Sequence, residues 1–133
     1  MAGRVSGSLL DTSILIAQGA PGVAELPSAA AISIITLGEL QAGVLLARDD
    51  SVRSARRQRL DAVRAAFAPL VVDEPVAESY GEILALARSQ RRAEKATDLL
   101  IIATALATGR TLYTRDVRQA QLAGMAGASV VTV

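Results

Sequence analysis

The feature that most constrains the fold of this 133-residue chain is its alternation of short apolar runs with longer stretches of helical periodicity. That alternation suits strand–helix–strand units, and hence a parallel sheet with helices on its faces. Leu9–Asp11 reads as a first strand, followed by a helical turn over Ile14–Gln18 that Gly19-Ala20-Pro21-Gly22 ends. Val23–Leu26 reads as a second short helix before Pro27, and Ala31–Ile35 as a second strand whose unbroken apolar character suits a sheet centre. Thr36 is the expected N-cap of a helix from Leu37 to about Arg48.

Asp49-Asp50-Ser51 is placed to cap a further helix over Val52–Phe67, in which Val52, Leu60, Val63 and Phe67 recur near the helical period. Pro69 ends it, and Leu70–Val72 reads as a third strand. Pro75 suits the first turn of a helix running from Val76 to about Arg92. Thr97 is the expected cap of a helix over Asp98–Thr108, with Gly109 as its stop. Thr111–Thr114 is a fourth strand, Val117–Leu122 a short helix stopped by Gly124, and Ser129–Val133 a last strand. The whole is expected to be one α/β domain over residues 1–133, with a central parallel sheet of four to five strands flanked by helices. Phe67, Tyr80 and Tyr113 are the only aromatic residues, so the core must be assembled from Leu, Ile, Val and Ala. Small side chains bury little area each, so many are needed.

The chain has no His and no Cys. Disulfides and thiolate metal sites are therefore excluded, and any chemistry must run on carboxylates, hydroxyls, Arg, the single Lys95 or a bound metal. The net charge of +1 gives no overall field for a polyanion, yet the arginines cluster. Arg53, Arg56, Arg57, Arg59 and Arg64 form one group, and Arg88, Arg91, Arg92 and Lys95 another. No apolar run approaches the roughly 18 residues needed to span a membrane. A cytoplasmic protein is expected.

Four acids stand where such a fold concentrates ligands. Asp11 ends the first strand, Glu39 lies on the helix leaving the second, Asp98 opens a helix, and Asp116 follows the fourth strand. Ligands of open parallel sheets sit beyond the carboxyl ends of the strands. If the first and fourth strands lie side by side, the four carboxylates converge. Such a group cannot stay ionised without a cation, and oxygen-only ligation suits Mg2+ or Mn2+. An ion held there would acidify water and neutralise a scissile phosphate, giving phosphodiester hydrolysis without histidine. Ser13 and Thr114 are placed to orient the carboxylates or the waters around the ion. Taken singly, each acid also has an ordinary use, as a turn former, a helix cap or a plain helical residue.

Leu9-Leu10-Asp11-Thr12-Ser13-Ile14-Leu15-Ile16 resembles the first motif of the PIN-domain nucleases. Ser33-Ile34-Ile35-Thr36-Leu37-Gly38-Glu39-Leu40-Gln41-Ala42-Gly43 resembles their second, Asp98-Leu99-Leu100-Ile101-Ile102-Ala103-Thr104-Ala105 their third, and Leu112-Tyr113-Thr114-Arg115-Asp116 their fourth. The likeness covers nearly the whole chain, and its length and Thr-Leu-Gly-Glu-Leu segment are most similar to VapC toxins of VapBC toxin–antitoxin pairs. The resemblance implies a PIN-like fold and a Mg2+- or Mn2+-dependent endoribonuclease. It also implies a homodimer restrained by a cognate VapB-type antitoxin. It makes Asp11, Glu39, Asp98 and Asp116 catalytic, with metal held first by Asp11 and Asp98, then Asp116, and Glu39 acting through water or a second ion. Many relatives carry a further acid just after the fourth motif, where this chain has Val117 and Arg118. A second tightly held metal therefore lacks that ligand here.

Arg115, beside the acidic group, is the best-placed contact for an RNA phosphate. The arginines of Val52–Phe67 read first as a solvated helix face. Apolar positions on Val23–Leu26 and Leu37–Ala47 offer a groove for an antitoxin segment or a dimer interface. Other classes fit less well. A haloacid-dehalogenase-like phosphatase wants a second Asp where Ser13 stands, and a receiver-like domain wants its Asp on a later strand. The alternative from a different class is a catalytically silent PIN-like module that binds RNA or protein.

Overall fold

The computed structural model describes residues 7–17, 27 and 29–133. Ten elements follow in order: β1 (Ser8–Leu10), α1 (Thr12–Ile16), β2 (Ala30–Ala31), α2 (Ile34–Leu45), α3 (Asp50–Ala66), α4 (Glu74–Ser89), α5 (Ala96–Thr108), β3 (Thr111–Thr114), α6 (Val117–Met125) and β4 (Val130–Thr132). The expected helix over Val23–Leu26 lies outside the described residues.

The four strands form one parallel sheet in the order β2-β1-β3-β4. The first strand and the Thr111–Thr114 strand are therefore neighbours, with Leu9 opposite Leu112 and Leu10 opposite Tyr113. Successive strand residues face opposite sides, so Leu9 and Leu10 feed different cores. Leu9 and Leu112 pack with Val76, Ile83, Leu99 and Leu122, under α4, α5 and α6. Leu10 packs with Ile14, Leu40, Val44, Leu60 and Val63, under α1, α2 and α3. The result is a three-layer α/β/α arrangement, with helices on both faces of the sheet.

Several boundaries differ from the sequence reading. The second strand is only Ala30–Ala31, and the helix after it starts at Ile34. Its cap is Ser33, whose hydroxyl accepts from Ile35 N at 3.0 Å, so Thr36 is not the cap. Thr36 is fully buried in the first turn, where its hydroxyl meets that of Thr12 at 2.9 Å. Leu70–Val72 is not a strand: Leu70 alone bridges to Ser33, while Val71 and Val72 lie exposed. The helix α5 is capped at Lys95 without a side-chain bond, and Thr97 sits inside it. Gly124 is exposed within α6 and does not stop it. The turn after α6 is made by Gly127, whose φ of 91° favours glycine.

The arginines of α3 are partly committed to structure. Arg53 pairs with Asp50 at 2.7 Å and donates to Ala47 O at 2.8 Å, while Arg56 donates to Gly43 O at 2.7 Å. These bonds tie α3 to the end of α2. On the other side of the sheet, Glu94 Oε2 accepts from Arg92 Nε at 2.9 Å and from Arg118 Nη2 at 3.1 Å. The Glu94 side chain is 6% exposed, so this ion pair links the loop before α5 to α6 in a partly dry setting.

Candidate active site

Asp11 and Asp116 occupy equivalent places, each at the carboxyl end of a central strand and at the N-cap of the next helix. Asp11 N donates to Tyr113 O at 2.9 Å, which extends the β1–β3 pairing to the acid itself. Asp11 Oδ2 accepts from Ser13 N at 3.0 Å, and Asp116 Oδ1 accepts from Arg118 N and Gln119 N at 3.0 and 3.2 Å. The capping use of these acids is thus real, and it does not compete with a place in the cluster. For Asp116 it engages one carboxylate oxygen only.

Gln119, which sequence reasoning missed, holds the cluster together. It is 1% exposed. Its Nε2 donates to Asp11 Oδ1 at 3.1 Å and reaches Asp98 O at 3.4 Å, and its Oε1 accepts from Thr114 Oγ1 at 2.7 Å. An ionised Asp11 only accepts, which fixes the amide with nitrogen toward it. Thr114 Oγ1 has one proton. The short contact to Gln119 takes it in preference to the 3.3 Å contact with Asp11 Oδ2, while the same oxygen accepts from Asp116 N at 3.0 Å. A signal was present: Asp116-Val117-Arg118-Gln119 has the spacing of a capping box. The amide that would normally turn back to the cap instead turns inward, because Thr114 already serves the Asp116 N–H.

The second acid-holding network runs through Thr12. Its hydroxyl donates to Glu39 Oε1 at 2.6 Å and abuts Thr36, which fixes Glu39 on α2 against α1. The Ser13 hydroxyl accepts from Arg115 N at 3.0 Å, so Ser13 meets Asp11 through its backbone N–H and the loop after β3 through its side chain. The Arg115 side chain is exposed.

The four acids share one field. The Asp98 carboxyl is pushed up from 3.8 to about 6, first by burial and then by the charges of Asp11, Asp116 and Glu39; Lys95 opposes the shift. Among the described residues, no three acidic side chains close into a ready-made ion cage. Burial is the larger cause of the shift, and the mutual repulsion of the carboxylates adds to it. A cation would relieve that repulsion. The donors are carboxylate oxygens backed by hydroxyls and one amide, which fits a hard ion such as Mg2+ or Mn2+.

Residues 8–125 match the family model described as PIN domain. The chain belongs to the PIN-domain family. Ribonuclease VapC8 of Mycobacterium tuberculosis is 43% identical over 106 residues, covering 77% of this chain and 94% of that protein. A solved VapBC-5 toxin–antitoxin structure, also from Mycobacterium tuberculosis, superposes with a TM-score of 0.82 at 31% identity, over 95% of this chain and 98% of that one. FitAcB from Neisseria gonorrhoeae superposes with a TM-score of 0.77 at 29% identity, over 93% and 96% of the two chains. The PIN fold accounts for the strand order and for the acids at the ends of β1 and β3. No helix among the described residues is long and apolar enough to cross a membrane.

Proposed function

We propose that this chain is a toxin endoribonuclease, a single PIN domain that hydrolyses RNA phosphodiester bonds with Mg2+ or Mn2+ held by Asp11, Asp98 and Asp116. The observation that carries this reading is a PIN fold with Asp11 and Asp116 at the carboxyl ends of its central strands, where their charges and that of Glu39 help to raise the Asp98 carboxyl to about 6. Four mutually repelling acids are costly in a fold unless a cation uses them. A bound divalent ion supplies acidified water and neutralises charge on the scissile phosphate. Gln119 and Thr114 hold Asp11 and Asp116 in register, and Thr12 holds Glu39. Glu39 Oε2 has no hydrogen-bond partner among the described residues and serves to orient water. Arg115 contacts an RNA phosphate from the rim.

The VapBC-5 relative is a toxin–antitoxin structure, which supports a cognate VapB-type antitoxin as partner of this chain; a homodimer and a cytoplasmic setting complete the proposal. Ile16, Leu45 and Leu46, at 50, 67 and 77% exposure, supply apolar surface for such contacts. The test is incubation of the purified protein with structured RNAs in Mg2+, in Mn2+ and in EDTA, beside Asp11→Asn and Asp98→Asn. Cleavage is expected with either metal and abolished by chelation or by either substitution. Cleavage that survives EDTA, or equal behaviour of wild type and variants, leaves a PIN-like binding module in place of a nuclease.

A further inference from the structure

Beside the acidic group lies a cleft of about 420 Å³, walled by Thr12, Ile16, Glu39, Leu40, Arg56 and Arg59. Arg56 and Arg59 stand three residues apart on α3 and so share a face. The cleft joins them to the acids directly: Glu39 belongs to both, and Thr12 follows Asp11 in the chain.

We infer that this cleft is a phosphate subsite, in which Arg56 and Arg59 take the backbone of the RNA strand beside the phosphate being cut. The inference rests on the nuclease reading for its substrate. Arg56 is half-buried, and its bond to Gly43 O at 2.7 Å fixes the guanidinium at the cleft wall with further N–H donors left over. Neither Arg56 nor Arg59 has a carboxylate within ion-pair distance among the described residues, although Glu39 lines the same cleft. Thr12 explains this, because its 2.6 Å bond draws the Glu39 carboxylate toward α1. Two unpaired guanidiniums, one of them preset, suit a bidentate anion such as a phosphodiester. Ile16 and Leu40 offer only aliphatic wall and no aromatic platform, so the cleft grips backbone without stacking a base. Non-specific RNA therefore suffices as a probe.

The experiment measures binding of a labelled single-stranded RNA and a labelled RNA hairpin in EDTA, across a salt series. Arg56→Gln and Arg59→Glu are compared with wild type and with Arg88→Glu, which makes the same charge reversal on the exposed side of α4. Melting curves confirm that each variant is folded, and Arg59→Ala serves if the reversal is not tolerated. The cleft variants are expected to weaken both RNAs roughly three- to tenfold and to lower the salt slope by about 0.7 per lost contact on single strands. In Mg2+ they raise KM more than they lower kcat. Unchanged RNA affinity and slope overturn the subsite, and so does loss of affinity equal to that of Arg88→Glu. The subsite also fails if the variants release only an acidic peptide partner while holding RNA as before. Wild-type protein that binds RNA through this cleft but never cleaves it removes the nuclease reading and leaves the subsite standing.

Discussion

Replacing Asp98 with Asn should make the metal-free protein more stable and the metal-loaded protein worse. The Asp98 carboxyl lies at about 6 against 3.8 for an unperturbed group, a difference of about 3 kcal/mol in full. Solvent reaches this partly exposed side chain, so screening reduces the usable part to about 1–2 kcal/mol. Asp98 sits in the first turn of α5, where its charge favours the helix by about 0.5 kcal/mol, and Asn forfeits that. Relief of repulsion wins, leaving a net gain of about 1 kcal/mol, or roughly 3–5 °C in melting temperature for a chain of this size. The pH dependence has a definite sign. The folded carboxyl titrates above the unfolded one, so folding takes up a proton between about pH 4 and 6. Wild-type stability in EDTA therefore falls, relative to that of Asp98→Asn, as pH rises through that window. The two curves meet near pH 4 and separate fully above about 6. Saturating Mg2+ or Mn2+ raises the wild-type midpoint and moves that of Asp98→Asn far less. Thermal melts in EDTA and in metal, from acid to neutral pH, read all of this. An Asp98→Asn protein less stable than wild type in EDTA at neutral pH, or a gap indifferent to pH, would refute the reasoning.

Asp116→Ala removes an N-cap as well as an acid, so it should cost about 1 kcal/mol by denaturant melt and abolish RNA cleavage, whereas Asp116→Asn should keep most of the stability and lose the cleavage. Gln119→Ala leaves Asp11 Oδ1 and Thr114 without their partner in a buried setting; we expect a loss of about 2 kcal/mol and weaker Mg2+ binding by calorimetry, with Gln119→Asn, one methylene too short to reach both partners, close to Ala in each. Glu94→Gln weakens two charge-assisted bonds that secure α6 and should cost about 1–2 kcal/mol, read as a lowered denaturation midpoint, with unchanged dependence of cleavage on metal concentration.

The parts of the fold that could be read in the chain were those with one physical interpretation. Thr111–Thr114 was bounded by Gly109 behind and Asp116 ahead, and it stands in the structure with those limits. Ala31–Ile35 reads as a strand, yet a short apolar run of this kind suits a buried helix turn equally well. Only Ala31 of it pairs in β2, and the helix begins at Ile34 behind the Ser33 cap. Leu70–Val72 had strand propensity but, beyond the single Leu70 bridge, no partner to pair with. Within the site, the acids stood out because a chain without His or Cys leaves few other bearers of chemistry. Gln119 did not, since a neutral amide gains its meaning only from what surrounds it. Thr12 likewise became visible only when α1 and α2 were brought together.

Asp11 and Asp116 each cap a helix, while Asp98 and Glu39 cap none. The two pairs would therefore age differently in a lineage that stopped cutting RNA. Selection for folding alone would keep Asp11 and Asp116 as Asp, Asn or Ser. It would have no reason to keep Asp98, whose negative charge strains the metal-free fold. Among descendants of such a chain, a surviving first acid would record little more than sound architecture. A surviving Asp98 would record continued use.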